Sequence, residues 1–228
     1  MKKITNQKDH VIQAYKKSAS GYDRSVRLFN LFAPFGFNIP AWRHAAVQAL
    51  NLKPGDTVVD VGCGTGLNFQ LLQEAIGLQG RIIAVDLSEA MLQQACIRIA
   101  QNGWQNVEII HEDAALFKFP SNLDAVLTTF ALILVPECGQ VVRRGCRALK
   151  PGGSMAVLDM AWPKSLPVRW KRFFFFLRSY GVTAEAIERH PWEIVCATME
   201  RQLNDVTRQN YWMGFFYLTC GQKGDLEK

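Results

Sequence analysis

The amino-acid sequence predicts an α/β fold: a seven-stranded, mostly parallel sheet with helices on both faces, an antiparallel hairpin at its C-terminal end and a helical cap at its N-terminal end. Two observations carry this. Between about Asp56 and Asp159, short β-branched runs alternate with amphipathic stretches, the rhythm of crossover units in a parallel sheet. The runs are also nearly continuous in apolar residues, as strands covered on both faces require.

Taken in order, the segment from about Asp9 to Leu52 reads as helical, with Val11, Ala14, Tyr15, Ser18 and Tyr22 in steps of three and four. Phe32-Ala-Pro-Phe-Gly36 breaks it, and Pro40 suits the first turn of a second helix over Ala41–Leu50. Strands are expected at Thr57–Val61, Arg81–Val85, Val107–Ile110, Asp124–Thr128 and Ser154–Asp159. Helices are expected at Leu67–Ala75, Ser88–Gln101 and Glu137–Leu149. The segment from about Ala161 to His190 interrupts the rhythm. A helix over about Pro191–Leu203 follows, then strands at about Asp205–Trp212 and Phe215–Cys220, parted by a short gap holding Gly214 that suits a hairpin. Residues 1–52 thus form a cap and residues 53–228 the main domain, with an insert at about 161–190.

Hydrophobic residues make up 49% of the chain and charged residues 20%, a globular mixture. No apolar run approaches the ~20 residues of a membrane span. The first ten residues lack the apolar core of a signal peptide, so the expected compartment is the cytoplasm. The six cysteines form no C-x-x-C pair and no zinc-like cluster with histidine, so no metal is expected. The net charge of +6 favours encounters with anionic partners: nucleic acid, anionic lipid or an acidic substrate.

The chemistry concentrates at strand ends. The first strand runs into Val58-Val-Asp-Val-Gly-Cys-Gly-Thr-Gly-Leu-Asn68. Its alternate glycines let the backbone turn sharply and approach a ligand, and the next helix offers free N–H groups. A dinucleotide fingerprint needs G-x-G-x-x-G, but position 67 is Leu and the third glycine is Gly66. A glycine turn with no ligand is the bland alternative. The second strand ends at Asp86, whose two carboxylate oxygens can accept both hydroxyls of a ribose. Ser88 suits a helix N-cap, and Leu87 and Met91 can pack on an adenine face. The third strand ends in His111-Glu-Asp-Ala114, and the fourth in Thr128-Thr-Phe130, at the sheet edge where ligands bind.

The pattern Asp60-x-Gly62-x-Gly64-x-Gly66 resembles the first motif of the Rossmann-like class I S-adenosylmethionine-dependent methyltransferases. The resemblance extends over about residues 55–160, including Asp86, Asp113-Ala114 and the turn Leu149-Lys-Pro-Gly-Gly153. It implies S-adenosylmethionine as cofactor, giving S-adenosylhomocysteine. It implies that Asp60 lies near the methionine ammonium, that Gly62, Cys63, Gly64 and Gly66 line the loop against the cofactor, and that Asp86 holds the ribose. It also implies that Asp113 receives the adenine amino group beside the Ala114 N–H, with Thr129 near the methyl group. Tyr22-Asp23 resembles the Tyr-Asp of the quinone-biosynthesis and phospholipid N-methyltransferases, where an N-terminal helix caps the cofactor; Tyr22 would then contact its methionine end. Quinone C-methyltransferases carry a polar Arg-Asn pair after the fourth strand. Here the stretch is Phe130-Ala-Leu-Ile-Leu-Val135, a greasier wall and a departure that weighs against ring-directed quinone C-methylation.

The insert holds Val168-Arg-Trp-Lys-Arg-Phe-Phe-Phe-Phe-Leu-Arg-Ser-Tyr180. On a helix, Trp170, Phe173, Phe174 and Leu177 form one apolar stripe, while Phe175 and Phe176 fall among the bases. It is a core-packing helix, a lid over an apolar acceptor pocket, or a helix resting at a membrane surface. Phe130, Trp170 and Phe174 are the candidate substrate-pocket residues. Candidate bases are His190, Tyr22 and His111. The expected function is methyl transfer to a hydrophobic or amphipathic small molecule, a lipid head group or a quinone-like ring, with peripheral membrane contact. Alternatives are an RNA or protein methyltransferase and a non-catalytic cofactor-binding protein. No RNA-binding module is visible, which weighs against nucleic acid.

Overall fold

Seven strands form one sheet in the order β3-β2-β1-β4-β5-β7-β6. The computed structural model describes Gln13, Gly21, Asp23, residues 36–163 and residues 182–224. Most of the first helical segment, with Tyr15 and Tyr22, lies outside the described residues, as does the stretch holding Trp170 and Phe174.

Helix α1 (Ile39–Gln48) starts where Asn38 Oδ1 accepts the Ala41 N–H at 3.0 Å, with Pro40 in the first turn. Strand β1 (Thr57–Val61) feeds the glycine turn, and α2 (Phe69–Ile76) follows. The sequence places that helix from Leu67; it starts two residues later because Asn68 turns its side chain to Asp60 instead of capping. Strand β2 (Arg81–Asp86) leads to α3 (Glu89–Asn102), capped by Ser88 through the Met91 N–H. Strands β3 (Val107–His111) and β4 (Leu123–Thr129) follow, then a 3₁₀ turn at Leu132–Leu134 and helix α4 (Cys138–Ala148). Strand β5 (Leu149–Met160) is longer than the sequence indicates. Leu149 already pairs with Leu123 before the ladder resumes at Ser154 opposite Ala125. After α5 (Ala184–Glu188) and α6 (Pro191–Glu200), β6 (Asn204–Tyr211) and β7 (Phe216–Gln222) form the antiparallel hairpin.

Strands β1 and β4 are buried nearly throughout, which explains their apolar continuity. Their cores, Val58, Val59, Val126 and Leu127, are fully enclosed, with Phe69, Leu72 and Ile76 of α2 also buried. Strand β6 is exposed along most of its length, and its polar sequence suits a sheet edge. Connections leave β1 toward β2 on one side and β4 lies on the other, so a crevice opens at the carboxyl ends of these strands. Among the described residues no helix is long and apolar enough to cross a membrane.

Candidate active site

A cleft of about 900 Å³, counting its open mouth, occupies this crevice. Its floor is the turn after β1. Gly62 has φ +69°, and a Cβ there would stand 2.3 Å from the Ala131 Cβ, so only glycine lets the two loops meet. Gly64 has φ +57°, and nothing lies within 4 Å of where its Cβ would be. Bare backbone therefore faces the open cleft, a surface a ligand can approach closely. Gly66 is turned to the Phe69 ring and does not line the cleft.

The strand ends supply the polar groups. Asp86 Oδ2 accepts the Gly64 N–H at 2.9 Å and Oδ1 the Ser88 N–H at 2.8 Å. These bonds fix the carboxylate at the cleft wall, and each oxygen keeps a further lone pair. Burial pushes its pKa up, against the lowering effect of those two N–H groups. Leu87, Met91, Asp113 and Ala114 line the same wall. Asp113 Oδ1 accepts the Ala115 N–H at 2.8 Å, while Arg144 Nη2 donates to the carbonyls of Ala114 and Ala115.

Beneath the floor lies a charged group. Asp60 is wholly buried, and Asn68 Nδ2 donates to both its oxygens at 3.1 Å. Burial raises its pKa to about 7, opposed by the Asn68 hydrogen bonds and the Arg43 charge. Arg43 Nη1 donates to Asn68 Oδ1 at 2.8 Å and to Thr129 Oγ1 at 2.5 Å, and its guanidinium carbon sits 4.9 Å from the centre of the Phe130 ring. A carboxyl and a guanidinium are thus joined through one amide at one end of the cleft.

Phe130 has φ +57°, a conformation costing a non-glycine residue roughly 1–3 kcal/mol. Beyond it, Ala131, Leu132, Leu134 and Val135 complete an apolar wall. Cys63 also lines the cleft, its thiol pKa pushed far up by burial.

The cleft therefore gathers Gly62, Cys63, Gly64, Asp86, Leu87, Met91, Asp113, Ala114, Thr129 and Phe130. Thr128 faces away and is buried, because side chains alternate along a strand. Neither histidine reaches the cleft wall. His111 Nε2 bonds the Leu87 carbonyl at 3.0 Å outside it, and His190 starts α6, its ring tilted against Trp192 and beside Glu193. Sequence reasoning missed Arg43. The signal was a base on the apolar face of α1 beside Ile39, Trp42, Ala46 and Val47. It also missed the latch at Asp23, which accepts from Thr65 Oγ1 at 2.7 Å and pairs with Arg98. Arg98 Nε in turn donates to the Thr65 carbonyl at 2.8 Å. Among the described residues no cluster of His, Cys, Asp or Glu is placed to hold a metal ion.

Residues 1–197 match the model of the ubiE/COQ5 methyltransferase family. A demethylmenaquinone methyltransferase of Listeria monocytogenes serotype 4a is 34% identical over 167 residues, 73% of this chain and 68% of that one. One of Anoxybacillus flavithermus is 28% identical over 192 residues, 82% and 79% of the two chains. Among solved structures, a phosphoethanolamine N-methyltransferase 2 of Haemonchus contortus, bound to phosphomonomethylethanolamine and S-adenosylhomocysteine, superposes with a TM-score of 0.69 at 17% identity, covering 94% of this chain and 60% of that one. A SAM-dependent methyltransferase of Aquifex aeolicus gives 0.57 at 21% identity, with coverages of 79% and 89%.

Proposed function

The chain belongs to the ubiE/COQ5 methyltransferase family and is an S-adenosylmethionine-dependent methyltransferase, and from that premise we propose that its acceptor is a reduced quinone-like ring carrying an apolar tail. The observation that carries this is the apolar wall Phe130, Ala131, Leu132, Leu134 and Val135, which runs on from Arg43 along one side of the cleft. The names of the 34%-identical relatives, demethylmenaquinone methyltransferases, support the same substrate class.

The residues present fit the cofactor. Bare backbone at Gly64 faces open space, and Arg43 lines the cleft with the Asp60 carboxyl buried beneath the floor. Asp86 accepts the two ribose hydroxyls, Asp113 the adenine amino group, and Leu87 and Met91 pack on the adenine. Arg43, which lines the cleft, would meet the carboxylate of the methionine part, and Asp60, buried behind Asn68, would favour its ammonium from beneath the floor. Asp23 accepts from Thr65 Oγ1 and pairs with Arg98, which ties it to the glycine turn at the cleft floor. S-adenosylmethionine supplies an electrophilic methyl group on a positively charged sulfur. The protein's share is proximity and exclusion of water: the Phe130–Val135 wall holds the ring against the reacting end. Methylation at a ring carbon costs the acceptor one proton; the carboxylates of the cleft stand at the cofactor end, so that proton passes to water rather than to a positioned base. A wall without polar groups selects by shape, which discriminates weakly among related rings.

An apolar tail draws the acceptor from a bilayer, and the net charge of +6 favours approach to an anionic surface. Sedimentation with anionic against neutral vesicles tests that contact. The acceptor itself is tested by incubating the protein with labelled S-adenosylmethionine and either a chemically reduced, short-tailed demethylated naphthoquinone or phosphoethanolamine. Label on the ring carbon is the expected result. Label on phosphoethanolamine alone would replace the ring by a head-group amine.

A further inference from the structure

We propose that Asp159 and Arg189 are positioning residues that hold the acceptor-facing wall by gripping the two backbone polar groups of one residue, Ile133. The inference rests on the reading that the cleft beyond Phe130 takes the acceptor.

The wall is a 3₁₀ turn, Leu132–Leu134, with little to hold it from within. Its own bonds run from Leu134 N–H to the Ala131 carbonyl at 3.0 Å and from Val135 N–H to the Leu132 carbonyl at 3.1 Å. So short a turn does not persist unaided, and its first N–H and last C=O groups need outside partners. Ile133 finds both. Asp159 Oδ2, at the end of β5, accepts its N–H at 3.0 Å. Arg189 Nη2, just past α5, donates to its carbonyl at 3.1 Å. Leu132, Leu134 and Val135 line the cleft, whereas Ile133 is buried and does not. The wall is therefore fixed from its back, leaving an apolar front.

Both gripping groups are costly to place. Asp159 is 1% exposed, and its other oxygen accepts the Met160 N–H at 2.7 Å. Among the described residues it forms no salt bridge, and burial raises its pKa to about 7, against the N–H groups of Met160, Ile133 and Leu132. Arg189 keeps Nε and Nη1 buried without a hydrogen-bond acceptor among the described residues. A packing role at Asp159 is better served by an apolar side chain, since a buried charge destabilises; Arg189 is half-buried, with Glu137 and Glu185 favouring its charged form. What these two supply, and an apolar residue does not, is a bond of defined direction to the Ile133 backbone.

The test uses the full-length protein with Arg189→Met and Asp159→Asn. Hydrogen–deuterium exchange of the 131–136 peptide is expected to rise in both variants while the 62–66 peptide stays as in the wild type. With the reduced demethylated naphthoquinone as acceptor, kcat/KM is expected to fall about tenfold, the scale of one lost bond to a charged group. The dissociation constant for S-adenosylhomocysteine should stay within about twofold, as expected for sites that do not touch the cofactor. Unchanged exchange at 131–136 overturns the proposal. So does an equal loss of cofactor affinity and thermal stability with no selective loss of acceptor use, because that is a purely structural role. If Asp159→Asn fails to fold, Arg189→Met decides alone. If the wild type does not methylate the naphthoquinone, the acceptor reading fails, and the exchange data still decide whether Asp159 and Arg189 hold the wall.

Discussion

Asp60 holds a buried carboxyl with a pKa near 7, raised by burial and opposed by Asn68 and Arg43. A ligand ammonium placed beside it favours the ionised form, so the complex has a lower pKa than the free protein. Binding then expels a proton below about pH 7, and affinity for S-adenosylhomocysteine rises with pH up to about 7. Calorimetric titrations in two buffers of different ionisation enthalpy read that proton directly. Asp60→Asn should flatten the dependence and weaken binding. Asp86→Ala removes the acceptor for two hydroxyls and should cost roughly 1–3 kcal/mol of cofactor affinity, as for hydrogen bonds to a charged group. An unaltered dissociation constant would refute the ribose role. Both acids were legible in the sequence, because each stands at a fixed place: Asp60 before the glycines and Asp86 at the end of β2. Arg43 was legible only as a base on the apolar face of α1, because the linear pattern does not name its partner Asn68, 25 residues away.

At the scale of elements, the sheet was readable because β1, β2 and β4 are sealed on both faces and so are continuous in apolar residues. The start of α2 and the length of β5 were not. Each depends on a contact across the fold: Asn68 with Asp60, and Leu149 with Leu123. The wall after β4 was seen as greasy, but its shape depends on Asp159 and Arg189, which lie 26 and 56 residues from Ile133. Local spacing carries no trace of such pairings. The latch of Asp23 to Arg98 and Thr65 ties Asp23 to the glycine turn. Arg98→Met should release it. The expected outcome is a severalfold loss of affinity for S-adenosylhomocysteine and faster limited proteolysis before residue 36, with the remaining domain still resistant. Equal proteolysis rates with and without Arg98 would mean that the pair does not hold the chain around Asp23 to the glycine turn.

For the whole molecule, charge burial sets the pH range of stability. Asp60 and Asp159 both have pKa values raised to about 7 by burial, so the folded state binds their protons more tightly than the unfolded chain. Their contribution is greatest below the ordinary value of 3.8 and is lost as pH rises from there through about 7. Asp124 has the opposite sign. Burial pushes it up, but Lys150 and the Thr57 N–H outweigh that and leave it lowered. Its contribution is present above 3.8 and lost as pH falls through its lowered folded-state value. The Tm of the ligand-free protein should therefore peak in mildly acid solution and decline toward pH 8. S-adenosylhomocysteine should reduce that decline, and thermal melts across pH with and without it check both statements. The central claim is that this cleft holds the cofactor between the ends of β1, β2, β3 and β4 with its reactive end toward the Phe130–Val135 wall. A crystal structure with S-adenosylhomocysteine tests it most directly. The account predicts the ribose on Asp86, the adenine edge at Asp113, the amino-acid end on Asp60 and Arg43, and the sulfur facing Phe130. A ligand bound elsewhere, or bound with its adenine against that wall, would contradict it.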